Sequence, residues 1–340
     1  MRYKLGEVAK IRYGKDHKKL DDGNIPVYGS GGIMRYVDTA LYDKKSVLIP
    51  RKGSLGNLFF VNKPFWTVDT LFYTEIDENI LMPEFLFYKL KMFKLASMNV
   101  GSAVPSLTTA ILNALELDIP SFEVQSQIVN ILKAFDVRIS LNKQINHHLL
   151  EQARLLYKNL ISSNDTKYQN LSDIARITMG QSPKGETYNY DKIGLPLLNG
   201  ATDFRNSISP SKWTSDPRKI ARPGEYVFGV RATIGLTTKI FKEYAIGRGT
   251  GSAKPISNIF DEYLFFALED LFDYYANLGS GTVYINISKS DFDSFKVILP
   301  IKDQFLVDFH KTVQPLFNLI KIQPKTAREE NRYPIFVASE

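Results

Sequence analysis

Apolar positions along the chain change their period at about residue 121, and the same change recurs later. Up to there they come in short β-prone runs punctuated by Gly and Pro. Ser46-Val47-Leu48-Ile49 and Leu58-Phe59-Phe60-Val61 predict strands, and Trp66 to Tyr73 alternates with a period of two. Pro83 followed by Glu84 to Leu95 predicts a helix, because Pro is tolerated in a first helical turn. From Ser121 neither Gly nor Pro occurs until the polar break Ser162-Ser163-Asn164-Asp165. Within that stretch Ile128, Leu132, Phe135, Ile139, Asn142, Asn146, Leu149, Ala153, Leu156 and Leu160 fall on alternating a and d positions of a heptad repeat. A 3.5-residue seam of this length predicts a coiled coil, and about 38 helical residues would span roughly 57 Å. Asn142 and Asn146 interrupt it in adjacent layers, where polar pairing would fix register at some cost in stability.

Residues 168 to 300 repeat the first pattern, with strand-like Tyr226 to Val230, a Gly-rich stretch from Ile246 to Gly251, and a helix predicted from about Asp261 to Tyr275. Glu84-Phe85-Leu86-Phe87-Tyr88 recurs as Glu262-Tyr263-Leu264-Phe265-Phe266, and Gly101-Ser102 as Gly279-Ser280, both 178 residues on. Upstream, Leu5-Gly6-Glu7-Val8-Ala9-Lys10-Ile11 with Gly14 is echoed by Leu171 to Ile177 with Gly180. A second, shorter seam follows: Leu306, Phe309, Val313, Leu316 and Ile320, with Pro324 as its stop and Pro315 predicting a kink or a late start. The expected boundaries are 1–120 for module one, 121–162 for the spacer helix, 163–300 for module two, 301–323 for the second helix, and a tail, 324–340, without periodic signal. Two seams behind equivalent modules pack most economically helix against helix, antiparallel. Similar modules held apart by a stiff spacer suit a ligand with two separated half-sites, of which DNA is the obvious example.

At 340 residues the chain can bury a core in each half. A net charge of +7 favours an acidic partner such as a phosphate backbone, but at this length it carries little weight alone. The absence of cysteine excludes a disulfide framework and a thiolate metal site, and is compatible with a reducing compartment. Met1-Arg2-Tyr3-Lys4-Leu5-Gly6-Glu7 lacks the apolar centre of a secretory signal, and no apolar run reaches the roughly 18 residues a membrane span needs, so a cytoplasmic protein is expected.

Signatures of catalysis are missing. No Pro-Pro dipeptide exists, so the motif that positions an amino group for methyl transfer is absent. Glu-x-Lys never occurs, and Asp-x-Lys occurs only at Asp16, Asp43 and Asp165, without an upstream acid to complete a metal-dependent nuclease. His17, His147, His148 and His310 show no metal-ligand spacing, and there is no Gly-x-Ser-x-Gly elbow.

Binding candidates are more numerous. Tyr28-Gly29-Ser30-Gly31-Gly32 could cradle a phosphate on successive N–H groups, yet no amphipathic helix follows it, so a structural turn or a DNA-contacting loop are the two main readings. Arg51-Lys52-Gly53-Ser54-Leu55-Gly56-Asn57 leaves one strand, and Arg231-Ala232-Thr233-Ile234-Gly235 leaves its apparent repeat. Arg reads guanine bidentately whereas Lys and Ser more often hold phosphate, so Arg51 and Arg231 are base-reading candidates beside Lys52, Ser54, Asn57 and Thr233. Lys15, His17, Lys18 and Lys19 suit phosphate attraction or plain surface. Gln181 could pair with adenine, with Ser182 beside it, and Asn199, Arg205 and Arg248 complete the set. For each of these a solvated turn is the competing reading.

Through these residues the chain resembles the specificity subunit of type I restriction-modification systems, or the similar type IIB subunit. The likeness runs through Val27 to Gly32, Leu48-Ile49-Pro50-Arg51-Lys52-Gly53-Ser54-Leu55-Gly56, Thr67-Val68-Asp69-Thr70, Leu117-Asp118-Ile119-Pro120 to Gln125-Ile128-Val129, and Gly180-Gln181-Ser182-Pro183. The resemblance implies an α+β fold: two duplicated target-recognition domains, small twisted mainly antiparallel sheets plus helices, separated by a long antiparallel two-helix coiled coil. Each domain would read half of a bipartite double-stranded DNA site. The coil would set the unread spacer and dock modification subunits, and restriction subunits in some systems. The chain itself would hold no cofactor; S-adenosylmethionine, Mg2+ and, in type I systems, ATP would belong to its partners. The second seam is shorter than the pattern asks, which is more at home in a compact type IIB-like member. The rival from another class is a duplicated scaffold binding peptide or carbohydrate.

Overall fold

A computed structural model describes residues 1–98, 106–204, 208–231, 233–278 and 286–322. The repeated Gly-Ser pairs at 101–102 and 279–280, Arg205 and the tail 324–340 lie outside them. The described residues divide into two compact units at Leu141/Asn142.

The first unit is built on a four-stranded sheet in the order Ala9–Tyr13, Leu71–Ile76, Ser46–Pro50, Phe59–Val61, all pairs antiparallel. A second sheet sets Asp22–Gly29 between Gly32–Val37, antiparallel, and Trp66–Thr67, parallel. The alternating run from Trp66 to Tyr73 is therefore not one strand. It breaks at Val68–Thr70, where the Leu71 N–H turns back to the Val68 carbonyl, and so serves both sheets. Helix Pro83–Lys91 carries Pro at its first turn, as predicted, but ends before Leu95, which belongs to a separate 3-10 turn, Leu95–Met98. Its Phe85, Leu86, Phe87 and Leu90 enter the main core with Val47, Ile49 and Phe72.

The second unit repeats this plan. Its four-stranded sheet runs Ala175–Met179, Thr250–Pro255, Tyr226–Arg231, Thr233–Lys239, and its second sheet pairs Leu195–Leu198 in parallel with Tyr244–Ile246. Arg2–Lys4 pairs with Glu116–Asp118 in one unit as Thr166–Asn170 pairs with Lys296–Pro300 in the other. Helix Asp261–Leu278 runs slightly past its predicted end and buries Tyr263, Leu264, Phe265, Phe266, Leu268 and Leu271.

The spacer helix runs unbroken from Phe122 to Ser162. Gln125 ties its first turn to the first unit although it is fully buried: its amide donates to the Ile80 and Pro120 carbonyls at 3.0 Å each and accepts the Met82 N–H at 2.8 Å. A buried amide is tolerated there because its polar atoms are satisfied. The second helix, Asp303–Ile322, begins well ahead of Pro315, so no late start occurs. The Ile301 N–H meets the Asp165 carbonyl just past the spacer's end, and Thr312 and Leu316 lie beside Gln152, Leu156 and Asn159, so this helix runs antiparallel to the spacer. Leu306, Phe309 and Val313 pack on Ala153, Tyr157 and Leu160, all buried.

The contact extends beyond the a and d positions. Tyr157, off the seam, is among the best buried residues of the spacer, because helix Asp261–Leu278 packs on the same face: its ring stacks on Phe266 at 5.1 Å and meets Tyr263 at 5.3 Å. Along the rest of the seam Ile128, Leu132, Ile139, Asn142, Asn146, Leu149, Leu156, Leu316 and Ile320 are half-buried, and Phe135 is 57% exposed. Asn146 Oδ1 is buried without a hydrogen-bond partner among the described residues.

Candidate nucleic-acid interface

Four segments meet in the first unit, and main-chain hydrogen bonds fix how. The Gly14 N–H donates to the Leu71 carbonyl at 3.1 Å, Lys15 to Thr67 at 2.8 Å, Val68 to Tyr28 at 3.0 Å and Arg51 to Thr70 at 2.8 Å. The second unit repeats all four: Gly180 to Thr250 at 2.9 Å, Gln181 to Ile246 at 3.0 Å, Gly247 to Leu198 at 2.8 Å and Val230 to Gly249 at 3.1 Å. The glycine opening each set is forced by closeness. A Cβ on Gly14 would lie 2.1 Å from the Val68 oxygen, and one on Gly180 would lie 2.2 Å from the Gly247 oxygen.

This shared frame corrects one expectation. Ile49 and Pro50 pair with Phe72 and Leu71, while Phe228 and Gly229 pair with Gly251 and Thr250. Arg231 therefore stands in the place of Lys52, and the place of Arg51 is taken by Val230. The sequence match of the two arginines was one residue out of register. By the same frame Lys15 corresponds to Gln181, Gly29 to Asn199, Ser30 to Gly200 and Asp69 to Arg248.

Side chains at these positions differ in how free they are. Arg51 is half-buried; its Nη1 donates to the Asp69 carbonyl at 3.3 Å and its guanidinium lies 5.2 Å above the Tyr13 ring. Tyr28 packs its ring on Phe59 at 5.7 Å, and burial raises its hydroxyl pKa above the usual tyrosine value, keeping it a neutral donor. Asn57 donates to the Ser30 carbonyl at 3.0 Å and so docks its loop on the Gly29–Gly32 turn. Gly53, at φ +81°, leaves room for the Ser30 hydroxyl, which would lie 2.9 Å from a Cβ there. The turn leads into a strand, Gly32–Val37, so no helix amino terminus faces it. Lys15 stands exposed, its carbonyl receiving the Trp66 indole N–H at 2.9 Å, while His17 is half-buried with Nδ1 unpaired among the described residues.

Lys52 and Ser54 are exposed in the first unit, as are Gln181, Asn199, Arg231 and Arg248 in the second, with Ser182 half-buried. The Asp203 carboxylate accepts the Asn199 N–H at 2.7 Å and shapes that turn. Thr233 pairs through its backbone with Arg231 across the strand connection. The structure thus gathers the predicted residues of each unit around one frame, with Arg205 outside the described residues. Sequence reasoning missed Asp69, exposed on the turn where Arg248 stands in the other unit. Its signal was the alignment of Thr67–Leu71 with Ile246–Thr250, 179 residues apart, beside the helix repeat at 178. Among the described residues no group of three His, Asp or Glu side chains is placed to hold a metal ion. No described helix is long and apolar enough to cross a membrane.

The sequence profile of the family described as "Type I restriction modification DNA specificity domain" matches residues 1–151 and again 164–330. The chain belongs to this family. The two matches fall on the two copies of the frame. A putative type I restriction enzyme MjaX specificity subunit of Methanocaldococcus jannaschii is 28% identical over 283 residues, covering 73% of this chain and 64% of that protein. The type I restriction enzyme HindI specificity subunit of Haemophilus influenzae is 34% identical over 130 residues, 35% of this chain and 28% of that one. The chain thus spans less than two thirds of the length of either relative. The crystal structure of a type I restriction-modification system S subunit from M. genitalium shares the specificity-domain fold, with a TM-score of 0.58 at 14% identity over 98% of this chain and 96% of that one.

Proposed function

We propose that the chain reads a bipartite, asymmetric site on double-stranded DNA for a restriction-modification assembly, one half-site per unit, and contributes no catalytic group of its own. The observation that carries this reading is the duplicated frame. The same four backbone hydrogen bonds recur in both units, while the residues they present differ: Lys52 against Arg231, Lys15 against Gln181, Asp69 against Arg248. An identical platform with different donors and acceptors is what reading two different short sequences requires, since Arg favours guanine, Gln adenine and Asp the cytosine amino group. Family membership and the names of the relatives point the same way. Methyl transfer with S-adenosylmethionine, and cleavage where it occurs, fall to modification and restriction subunits docked on the helices, with Mg2+ and ATP bound there.

The unbroken helix Phe122–Ser162 supports a second part of the proposal, that its length sets the spacer between half-sites. Inserting one heptad between Leu132 and Leu156 keeps the apolar face in phase and adds about 10 Å of helix, or about three base pairs of DNA. Methylated adenines mapped in cells carrying the altered chain should show both half-sites unchanged and the gap widened. An unchanged gap in such a map rules the ruler out.

A further inference from the structure

The four hydrogen bonds of each frame all land on one tight turn. In the first unit they engage the main chain of Thr67, Val68, Thr70 and Leu71, and in the second that of Ile246, Gly247, Gly249 and Thr250. Each turn is closed in the same way, the Leu71 N–H donating to the Val68 carbonyl and the Thr250 N–H to the Gly247 carbonyl, both at 3.0 Å. The residue that these bonds skip is Asp69 in one turn and Arg248 in the other, and both are exposed. Clamped on either flank, the turn holds the backbone of its tip at one place in the frame and leaves the side chain to meet a ligand. Neither tip residue has a left-handed φ, so the turn itself does not select what stands there.

The charge at that place reverses between the units. Exposed Lys15 and Lys52 are bonded through their main chains to Thr67 at 2.8 Å and Thr70 at 3.3 Å, on either side of Asp69, yet the Asp69 carboxylate forms no ion pair or hydrogen bond among the described residues. Phosphates repel a carboxylate, so one standing at the centre of a DNA-reading frame needs an offsetting donor on the DNA. The major groove offers two, the cytosine N4 amino group and the adenine N6 amino group; beside the second lies adenine N7, an acceptor that repels the other carboxylate oxygen. Cytosine is the better match. The Arg248 guanidinium, also unpaired among the described residues, fits guanine O6 and N7 with its fork. Cytosine and guanine are the two edges of one base pair. We propose that Asp69 and Arg248 fix specificity at equivalent places of the two half-sites, each requiring a G·C pair, which Asp69 reads at the cytosine amino group and Arg248 at the guanine edge. This assignment rests on the DNA reading proposed above and names the residue and the base pair. Asp69 acts chiefly by refusal, since opposite any other base edge it gives up hydration and meets acceptors.

The test is selection from a pool of randomised duplexes on the full-length chain, alone and together with modification subunits, with the retained DNA sequenced. The unaltered chain should select two half-sites that each contain a G·C pair. Asp69→Asn keeps the shape of the side chain but adds a donor, so it should turn that pair into A·T in one half-site and leave the other unchanged. Asp69→Ala should accept any base there, discrimination falling by about 5- to 150-fold while binding to mismatched duplexes rises. Arg248→Ala should relax the G·C pair of the other half-site by a similar factor and weaken binding to the matched duplex. Unaltered half-sites selected by both Asp69 variants, or a relaxed pair other than G·C, overturn the assignment and leave the DNA reading standing. A pool from which the unaltered chain retains no sequence preferentially overturns the DNA reading and the assignment with it.

Discussion

At Gly14 and Gly180 a single methyl group decides whether two sheets can meet. Each glycine crosses so close to a carbonyl of the neighbouring turn that the alanine Cβ would be forced into main-chain atoms, with no flexible side chain to give way. Overpacking of this kind costs about 1–3 kcal/mol. Each change also displaces only one frame. Gly14→Ala should lower the melting temperature and weaken binding through one half-site, while Gly180→Ala does the same through the other; gel-shift titrations against duplexes with either half scrambled would show it. Equal damage to both halves from either variant would contradict the assignment of one reader to each unit. At Arg51 packing, not residue type, sets what the side chain can reach. As a residue type it suited base reading, yet its guanidinium is held against Tyr13 and the Asp69 carbonyl, and its counterpart is Val230, so the position is not a reader shared by both units.

Among the elements, the three-helix packing in the second unit buries more acid than an exposed coil would. Asp270 accepts the Tyr157 hydroxyl at 2.6 Å, and Glu262 meets His310 Nδ1 at 2.5 Å. Burial, the largest cause in each case, raises the pKa of Asp270, Glu269 and Glu262 above the ordinary carboxylate range. A carboxylate with a raised folded-state pKa gives stability that is fully present below its unfolded pKa and is lost as pH rises through the folded value. Asp270→Asn keeps an oxygen for Tyr157 but cannot titrate. The melting temperature of the unaltered chain should therefore gain more than that of the variant on going from about pH 7 to about pH 5. Parallel pH profiles would remove Asp270 from that account. These helices were legible in sequence because periodicity is local: heptads marked both helices, the first free of Gly and Pro and the second running through Pro315, and alternation marked strands. What stayed hidden was long-range. Nothing near Tyr157 announces that Phe266 and Tyr263 will cover it, nothing in Trp66 to Tyr73 shows that two sheets divide the run, and the pairing of Arg231 with Lys52 emerges only from the strand register.

For the molecule as a whole, neither unit suffices. If each reads three or four base pairs at about 1–3 kcal/mol apiece, one half-site recognises too little sequence to be found among a genome's competitors. Joining the two makes the second contact intramolecular, and a stiff connection gains most when its span matches the site. Much of the remaining affinity should then be electrostatic, in keeping with a net charge of +7 and with exposed Lys15, Lys18, Lys19 and Lys52 beside the first frame. With about 6–10 phosphate contacts shared by the units, binding should fall by roughly 10³–10⁵ between about 50 and 200 mM salt. Lys52→Ala, if Lys52 holds a phosphate, should weaken all sequences alike and flatten the logarithmic salt slope by about one. Arg231→Ala, at the equivalent position, should instead relax discrimination at one base pair by about 1–3 kcal/mol if it reads a guanine edge. Titrations of both variants over a salt series separate the two roles. A binding constant indifferent to salt would mean that the frames do not lie on a phosphate backbone, and would move the case toward a peptide- or carbohydrate-binding scaffold.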